Sequence, residues 1–218
     1  MPTRHGVSVQ THSFFARAPV VPVIVVEDVA LAVPLARALV EGGLPLLEVT
    51  LRTPAALAAI KAMREAVPEA VIGAGSILSS AHLESALGAG AQFIVTPGAS
   101  PALLAALARA PVPCLPGIAT ASEAIAARDH GFRVVKFFPA EAMGGIKTLS
   151  AWQGPLGDIF FCPTGGIDLQ RAPSYLALKN VLCVGGSWMV PAPALQARDF
   201  AHITSLARDA AGLAKPAR

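Results

Sequence analysis

Eight short runs of β-branched and apolar residues, each followed by a turn and an Ala- and Leu-rich stretch with helical spacing, constrain this chain more than any other feature. They are VVPVIVV (20–26), LPLLEVTL (44–51), VIGAGSI (71–77), FIVTP (93–97), PCLPGI (113–118), VVKFFP (134–139), IFFCPTGG (159–166) and VLCVGGS (181–187). A strand that returns through a helix to a parallel neighbour does so with one hand, so eight such units in series curl toward a closed ring. The chain has 218 residues, and barrels of this type begin at about 200. The expected class is therefore α/β, a single (β/α)8 TIM barrel over residues 18–213, with an N-terminal arm (1–17) and a C-terminal tail (214–218).

The helices between the runs carry start signals at Asp28, Thr53-Pro54 and Ser79-Ser80, and stop signals at Gly42-Gly43, Gly88, Gly90 and Gly131. Pro34 falls inside the first helix and predicts a kink there. A last helix over about 192–213 is expected to close the ring.

Composition narrows the function. The chain is 54% hydrophobic and 14% charged, against roughly 25% charged in an average soluble domain, so apolar surface has to be hidden and an oligomer is expected. No stretch approaches the roughly 18 apolar residues of a membrane span; the strongest, 19–26, contains Pro22. Residues 1–17 mix Arg4, His5, Gln10 and His12 with small residues and lack a secretory h-region, so a soluble protein is expected. Cys114, Cys162 and Cys183 are odd in number and lie within strand-like runs, which predicts reduced thiols and a cytoplasmic setting. The net charge of +3 is scattered without aromatic interleaving; this disfavours nucleic acid and suits a small anionic substrate.

Barrel active sites lie at the C-terminal ends of strands. Lys136, flanked by Val134, Val135, Phe137 and Phe138, points either into the barrel or into the helix layer and is partly desolvated in both cases. Desolvation disfavours the ammonium form and leaves an amine able to attack a carbonyl. An ion-paired structural lysine is the alternative, although buried lysines are uncommon. Glu48, Thr50 and Arg52 share one face by strand alternation. Glu48 and Arg52 either serve as proton shuttle and carboxylate clamp or simply pair with each other. Gly165-Gly166 and Gly185-Gly186 end the last two runs, where barrels bind phosphate through backbone N–H groups, and Thr164 and Ser187 add hydroxyl donors. The five histidines show no metal-ligand spacing, so no metal is expected.

At LEVTLRT, GAGS, VTPG, PGIAT, KFFPAE, CPTGGI and GGSW the chain resembles the 2-keto-3-deoxy-6-phosphogluconate aldolases of the Entner-Doudoroff pathway, in matching order from about residue 20 to 213. The resemblance implies a Schiff base on Lys136, Glu48 as acid-base group and Arg52 against the pyruvate moiety. It also implies Ser76, where the family has threonine, as a pyruvate contact, with Pro97 and Thr164 beside it. The phosphate site maps to Gly165, Gly166, Gly186 and Ser187. No cofactor is implied, and family members are typically homotrimers. The implied reaction breaks the C3–C4 bond of a phosphorylated 2-keto acid into pyruvate and glyceraldehyde 3-phosphate. Two related activities compete, on the phosphogalactonate isomer and on 4-hydroxy-2-oxoglutarate; LRT and GGSW favour the gluconate type. From another class, a non-catalytic phosphosugar-binding barrel would use Lys136 only as a partner for Glu48.

Overall fold

The computed structural model describes residues 11–213, over which short parallel strands alternate with helices. The strands are β1 (Val20–Ile24), β2 (Leu46–Thr50), β3 (Val71–Gly75), β4 (Phe93–Val95), β5 (Cys114–Leu115), β6 (Gly117–Ile118), β7 (Val134–Phe137), β8 (Phe160–Pro163) and β9 (Val184–Gly186). Helices α1 (Ala32–Glu41), α2 (Ala56–Ala66), α3 (Ser80–Gly88) and α4 (Pro101–Leu107) follow the first four strands. After β6 come α5 (Ala121–Asp129), α6 (Gly145–Trp152), α7 (Ala172–Leu176), α8 (Ala192–Gln196) and α9 (Phe200–Ala211). No helix among the described residues is long and apolar enough to cross a membrane.

The strands form two parallel ladders, β5-β4-β3-β2-β1-β9 and β6-β7-β8. A continuous closed ladder of eight, as expected from the sequence, is not formed among the described residues. The cause at one seam is Pro116, which has no N–H and divides the fifth run into β5 and β6. Leu115 O accepts from Thr96 N at 3.2 Å, whereas Pro116 O accepts from Lys136 N at 2.9 Å, so one bent segment serves both ladders. At the other seam, parallel bridges Phe161↔Val181 and Thr164↔Gly185 link β8 to the β9 segment.

Side-chain alternation sorts the buried residues into two clusters. Leu47, Val49, Ile72, Ile94, Val135, Phe137 and Phe161 face the helix layer. Val21, Leu46, Phe93, Val134, Cys162 and Cys183 pack together on the concave side of the strands. Coverage of both faces explains why the strand sequences read as nearly unbroken apolar runs. On the outside, α9 returns to α1: Gly42 leaves room for Ala207, whose Cβ would lie 2.4 Å from an added Cβ, and Thr204 Oγ1 donates to Ala38 O at 3.1 Å.

Four local expectations are corrected. Pro34 lies in the first turn of α1, where an N–H has no intrahelical acceptor, so it causes no break. Thr53 does not cap α2; its hydroxyl donates to Val26 O and ties the β2 loop to the end of β1. The last helix is two helices, separated at Arg198 with φ 56° and restarted by Asp199, whose carboxylate accepts from His202 N at 3.0 Å. Residues 11–15, read as part of a loose arm, are helical, and Phe15 is fully buried. Its ring centroid lies 5.7 Å from that of Phe93, closing the end of the strands opposite the site described next. Residues 1–10 and 214–218 of the expected arm and tail lie outside the described residues.

Candidate active site

Glu48 is the third residue of β2 and Lys136 the third of β7, so alternation places both on the concave side, above the apolar cluster. Lys136 Nζ donates to Glu48 Oε1 at 3.2 Å. The lysine is 4% exposed and the glutamate 3%. Two charges are held out of water together here, and breaking such a pair from one side is costly. The Phe138 ring centroid lies 5.3 Å from Nζ and completes a wall around the amine.

The neighbouring backbone is shaped to admit these side chains. A Cβ on Gly75 of β3 would fall 2.2 Å from Glu48 Oε1, so only glycine leaves the carboxylate its place. Gly185 likewise makes room for Thr164, whose Oγ1 would lie 2.3 Å from an added Cβ. Directly across the β7/β8 ladder from Lys136 is Cys162, with Sγ 3.4 Å from Cys183 Sγ. The hydrogen bond with Cys183 and then burial hold the Cys162 thiol well above its ordinary range, so it stays a neutral neighbour of the ion pair.

Arg52 does not pair with Glu48. Its Nε donates to Ser76 Oγ at 3.0 Å, joining the loops after β2 and β3 at the rim. Ser76 adopts φ 59°, a left-handed conformation that serine bears better than a β-branched residue. Pro97 follows β4 and is half-buried, with its carbonyl carbon 2.3 Å from the position of an added Gly117 Cβ. Thr164 follows β8, its hydroxyl 3.4 Å from Cys162 O. Gly165 and Gly166 take φ 102° and 77°, open only to glycine at low cost. Gly186 ends β9 under the Trp188 ring, and Ser187 follows it. The sequence-predicted residues thus lie within β2, β7 and β9 (Glu48, Lys136 and Gly186) and on the loops at the C-terminal ends of β2, β3, β4, β8 and β9. Among the described residues, no three His, Cys, Asp or Glu side chains assemble as a metal would need.

Sequence reasoning passed over Phe138, Gly75 and a polar group behind Gly166. The alternation of glycines in GAG, facing the strand that bears Glu48, was a usable signal for Gly75. The polar group consists of Glu141, Arg171, Asp168 and Tyr175. Arg171 Nη1 meets Asp168 Oδ2 at 2.7 Å, its Nε lies 3.6 Å from Glu141 Oε2, and the Tyr175 hydroxyl donates to Glu141 Oε1. Burial first, and then the Glu141 hydrogen bond, raise the Tyr175 phenol above its ordinary value, which keeps it a donor.

Known proteins resemble this chain over most of its length. The sequence model of the family described as KDPG and KHG aldolase matches residues 11–206. The KHG/KDPG aldolase of Escherichia coli K12 is 52% identical over 203 residues, 93% of this chain and 95% of that protein. The crystal structure of the 2-keto-3-deoxy-6-phosphogluconate aldolase of Zymomonas mobilis ZM4 with 3-phosphoglycerate superposes with a TM-score of 0.92 and 45% identity, covering 96% of this chain and 98% of that one. The KDPG aldolase of Legionella pneumophila, with pyruvate captured at low pH as a covalent carbinolamine intermediate, gives a TM-score of 0.91 at 41% identity, covering 93% and 98%.

Proposed function

The chain belongs to the KDPG and KHG aldolase family, and from that premise we propose that Lys136 is its Schiff-base nucleophile and Glu48 its proton shuttle. The protein is a carbon–carbon lyase of the aldolase type. It cleaves 2-dehydro-3-deoxy-6-phosphogluconate to pyruvate and glyceraldehyde 3-phosphate. The observation that supports the assignment is the buried contact of 3.2 Å between Lys136 Nζ and Glu48 Oε1, in a site whose rim carries Arg52 and the glycine turn.

Lys136, once it has given up a proton to Glu48, adds through Nζ to the C2 carbonyl of the substrate, and a proton passes from nitrogen to the new oxyanion to form a carbinolamine. Glu48 hands a proton to the departing hydroxyl, water leaves, and an iminium remains. Glu48, again a carboxylate, takes the proton of the C4 hydroxyl. The C3–C4 bond breaks, its electron pair moves into the iminium to give an enamine, and C4 departs as the aldehyde of glyceraldehyde 3-phosphate. The enamine is protonated at C3 from Glu48, and water returns to C2 to release pyruvate and the amine. Arg52 holds the substrate carboxylate through its guanidinium fork, with Ser76, Pro97 and Thr164 around the pyruvate moiety. The phosphate lies on Gly165, Gly166, Gly186 and Ser187. Cleavage of 4-hydroxy-2-oxoglutarate is favoured as a second activity, because the Lys136–Glu48 pair and the Arg52–Ser76 contact act on the part of the molecule the two substrates share.

Around this site we read the two ladders as one (β/α)8 ring that closes through Pro116 and the β8–β9 bridges. The assembly is a homotrimer, which accounts for Leu78 at 62% and Ile125 at 46% exposure in a chain so poor in charge. Three free, buried cysteines suit a reducing, cytoplasmic setting.

The deciding test is reductive trapping. Incubation with pyruvate and borohydride attaches one reduced pyruvyl group per chain, on the peptide containing VVKFF. Lys136→Arg abolishes both label and cleavage, because a guanidinium stays protonated. A label on another lysine, or cleavage by the arginine variant, overturns the assignment. A binding barrel that used the ion pair only for structure would take no label.

A further inference from the structure

Three successive carbonyls of the turn after β8 are each held from one side. Thr164 O accepts from Ala140 N at 2.8 Å and Gly165 O from Glu141 N at 3.1 Å, while Gly166 O accepts from Arg171 Nη1 at 3.2 Å. In a trans peptide the C=O and N–H point in opposite directions, and the cis bond in the described chain is Phe138–Pro139, outside this turn. Fixing the three carbonyls therefore aims the N–H groups of Gly165, Gly166 and Ile167 the other way. Those of Gly166 and Ile167 have no acceptor among the described residues. Successive N–H groups turned to one side form an anion-binding concavity.

The first two anchors are backbone donors that follow β7. The third is a side chain. Arg171 is kept in place by Asp168 Oδ2 at 2.7 Å. Asp168 Oδ1 in turn accepts from the N–H groups of Gln170 at 3.1 Å and Arg171 at 2.9 Å. Glu141 lies against the same turn: an added Cβ on Gly166 would come 2.8 Å from Glu141 Cβ. Two carboxylates thus stand behind the turn, and Arg171 is the cation that contacts both. Without it, their charge acts on anything bound at the turn from well within the Debye length of about 8 Å.

We propose that Arg171 is a positioning residue for the phosphate of the substrate: it orients the Ile167 N–H through Gly166 O, offsets Glu141 and Asp168, and thereby sets the preference for phosphorylated over unphosphorylated 2-keto acids. This rests on the placement of phosphate at Gly165 and Gly166. The residue touches neither the reacting atoms nor the lysine, so its effect falls on KM more than on kcat.

The test compares cleavage of the phosphorylated substrate with that of 2-keto-3-deoxygluconate in R171A, R171K and G166V, with inorganic phosphate as a competitive probe. R171A is expected to lower the ratio of kcat/KM for phosphorylated over unphosphorylated substrate about 10-fold and to weaken phosphate inhibition to a similar extent. R171K restores part of both, because it returns the charge without the planar fork. If G166V lowers the ratio while R171A and R171K leave it unaltered, the turn binds the phosphate but Arg171 does not position it, and the proposal fails. If neither G166V nor R171A changes the ratio, the phosphate lies elsewhere, and the assignment of the turn fails together with the proposal. R171K, which keeps a cation at the position, serves where R171A does not fold.

Discussion

Glu48→Gln replaces a proton-carrying oxygen by an amide of the same shape, so the variant should still form the lysine adduct while turnover falls about 100-fold or more, the scale of a lost acid-base group. Borohydride labelling alongside steady-state cleavage separates the two effects; near-normal turnover would remove Glu48 from the mechanism. Gly75→Ala tests the same carboxylate from behind. The new Cβ would sit 2.2 Å from Glu48 Oε1, forcing a shift, and misplacement by about 1 Å costs on the order of 100-fold in rate. Wild-type kcat in that variant would show that the carboxylate has room to spare. At this scale the sequence was informative about which residues matter and uninformative about their partners. Alternation put Glu48 and Arg52 on one face, but it cannot say that a lysine 88 positions away pairs with Glu48 while Arg52 turns to Ser76. Arg171, Glu141 and Tyr175 were illegible for a related reason: Glu141 lies in a single helical turn after β7, and Arg171 and Tyr175 at the start of and within the five-residue α7, elements too short for periodicity to record.

Among the elements, the eight runs were found because strands covered on both faces leave a continuous apolar signature. Two elements were misjudged. Asp199, a good helix cap, signalled a break that the Ala-rich surroundings concealed. Residues 11–15 showed no periodicity to read, since their ring contacts are with distant strands: the centroids of Phe14 and Phe15 lie 5.7 Å from that of Phe93 and that of His12 lies 4.6 Å from that of Phe160. That hold is measurable. Phe15→Ala is expected to destabilise the protein by about 3–5 kcal/mol, the usual range for deleting a buried phenylalanine, as read from urea denaturation. The pyruvate adduct on Lys136 should still form, because the aromatic cluster lies at the opposite end of the strands. A cost below about 1 kcal/mol would mean that residues 11–15 do not contribute to the core.

For the molecule as a whole, buried thiols make stability depend on alkaline pH. Burial pushes Cys114 up to about 12 from an ordinary value of 9.0, and Cys162 is raised as well. A raised pKa in the folded state favours folding below the ordinary value, where the thiol is protonated in both states. The advantage is lost as pH rises from about 9 through about 12. The urea midpoint should fall steadily over that interval, and Cys114→Val should make the decline shallower; parallel curves for the two proteins would contradict the assignment. The proposed trimer is read by sedimentation, with a monomer as the contrary result. The aromatic floor under the strands has a further consequence: the rings of Phe14, Phe15 and Phe93 stop one end of them. On the proposed reading, substrate therefore enters from the other end, past Arg52, Ser76 and the glycine turn, and the aldehyde and then pyruvate leave by the way the substrate came.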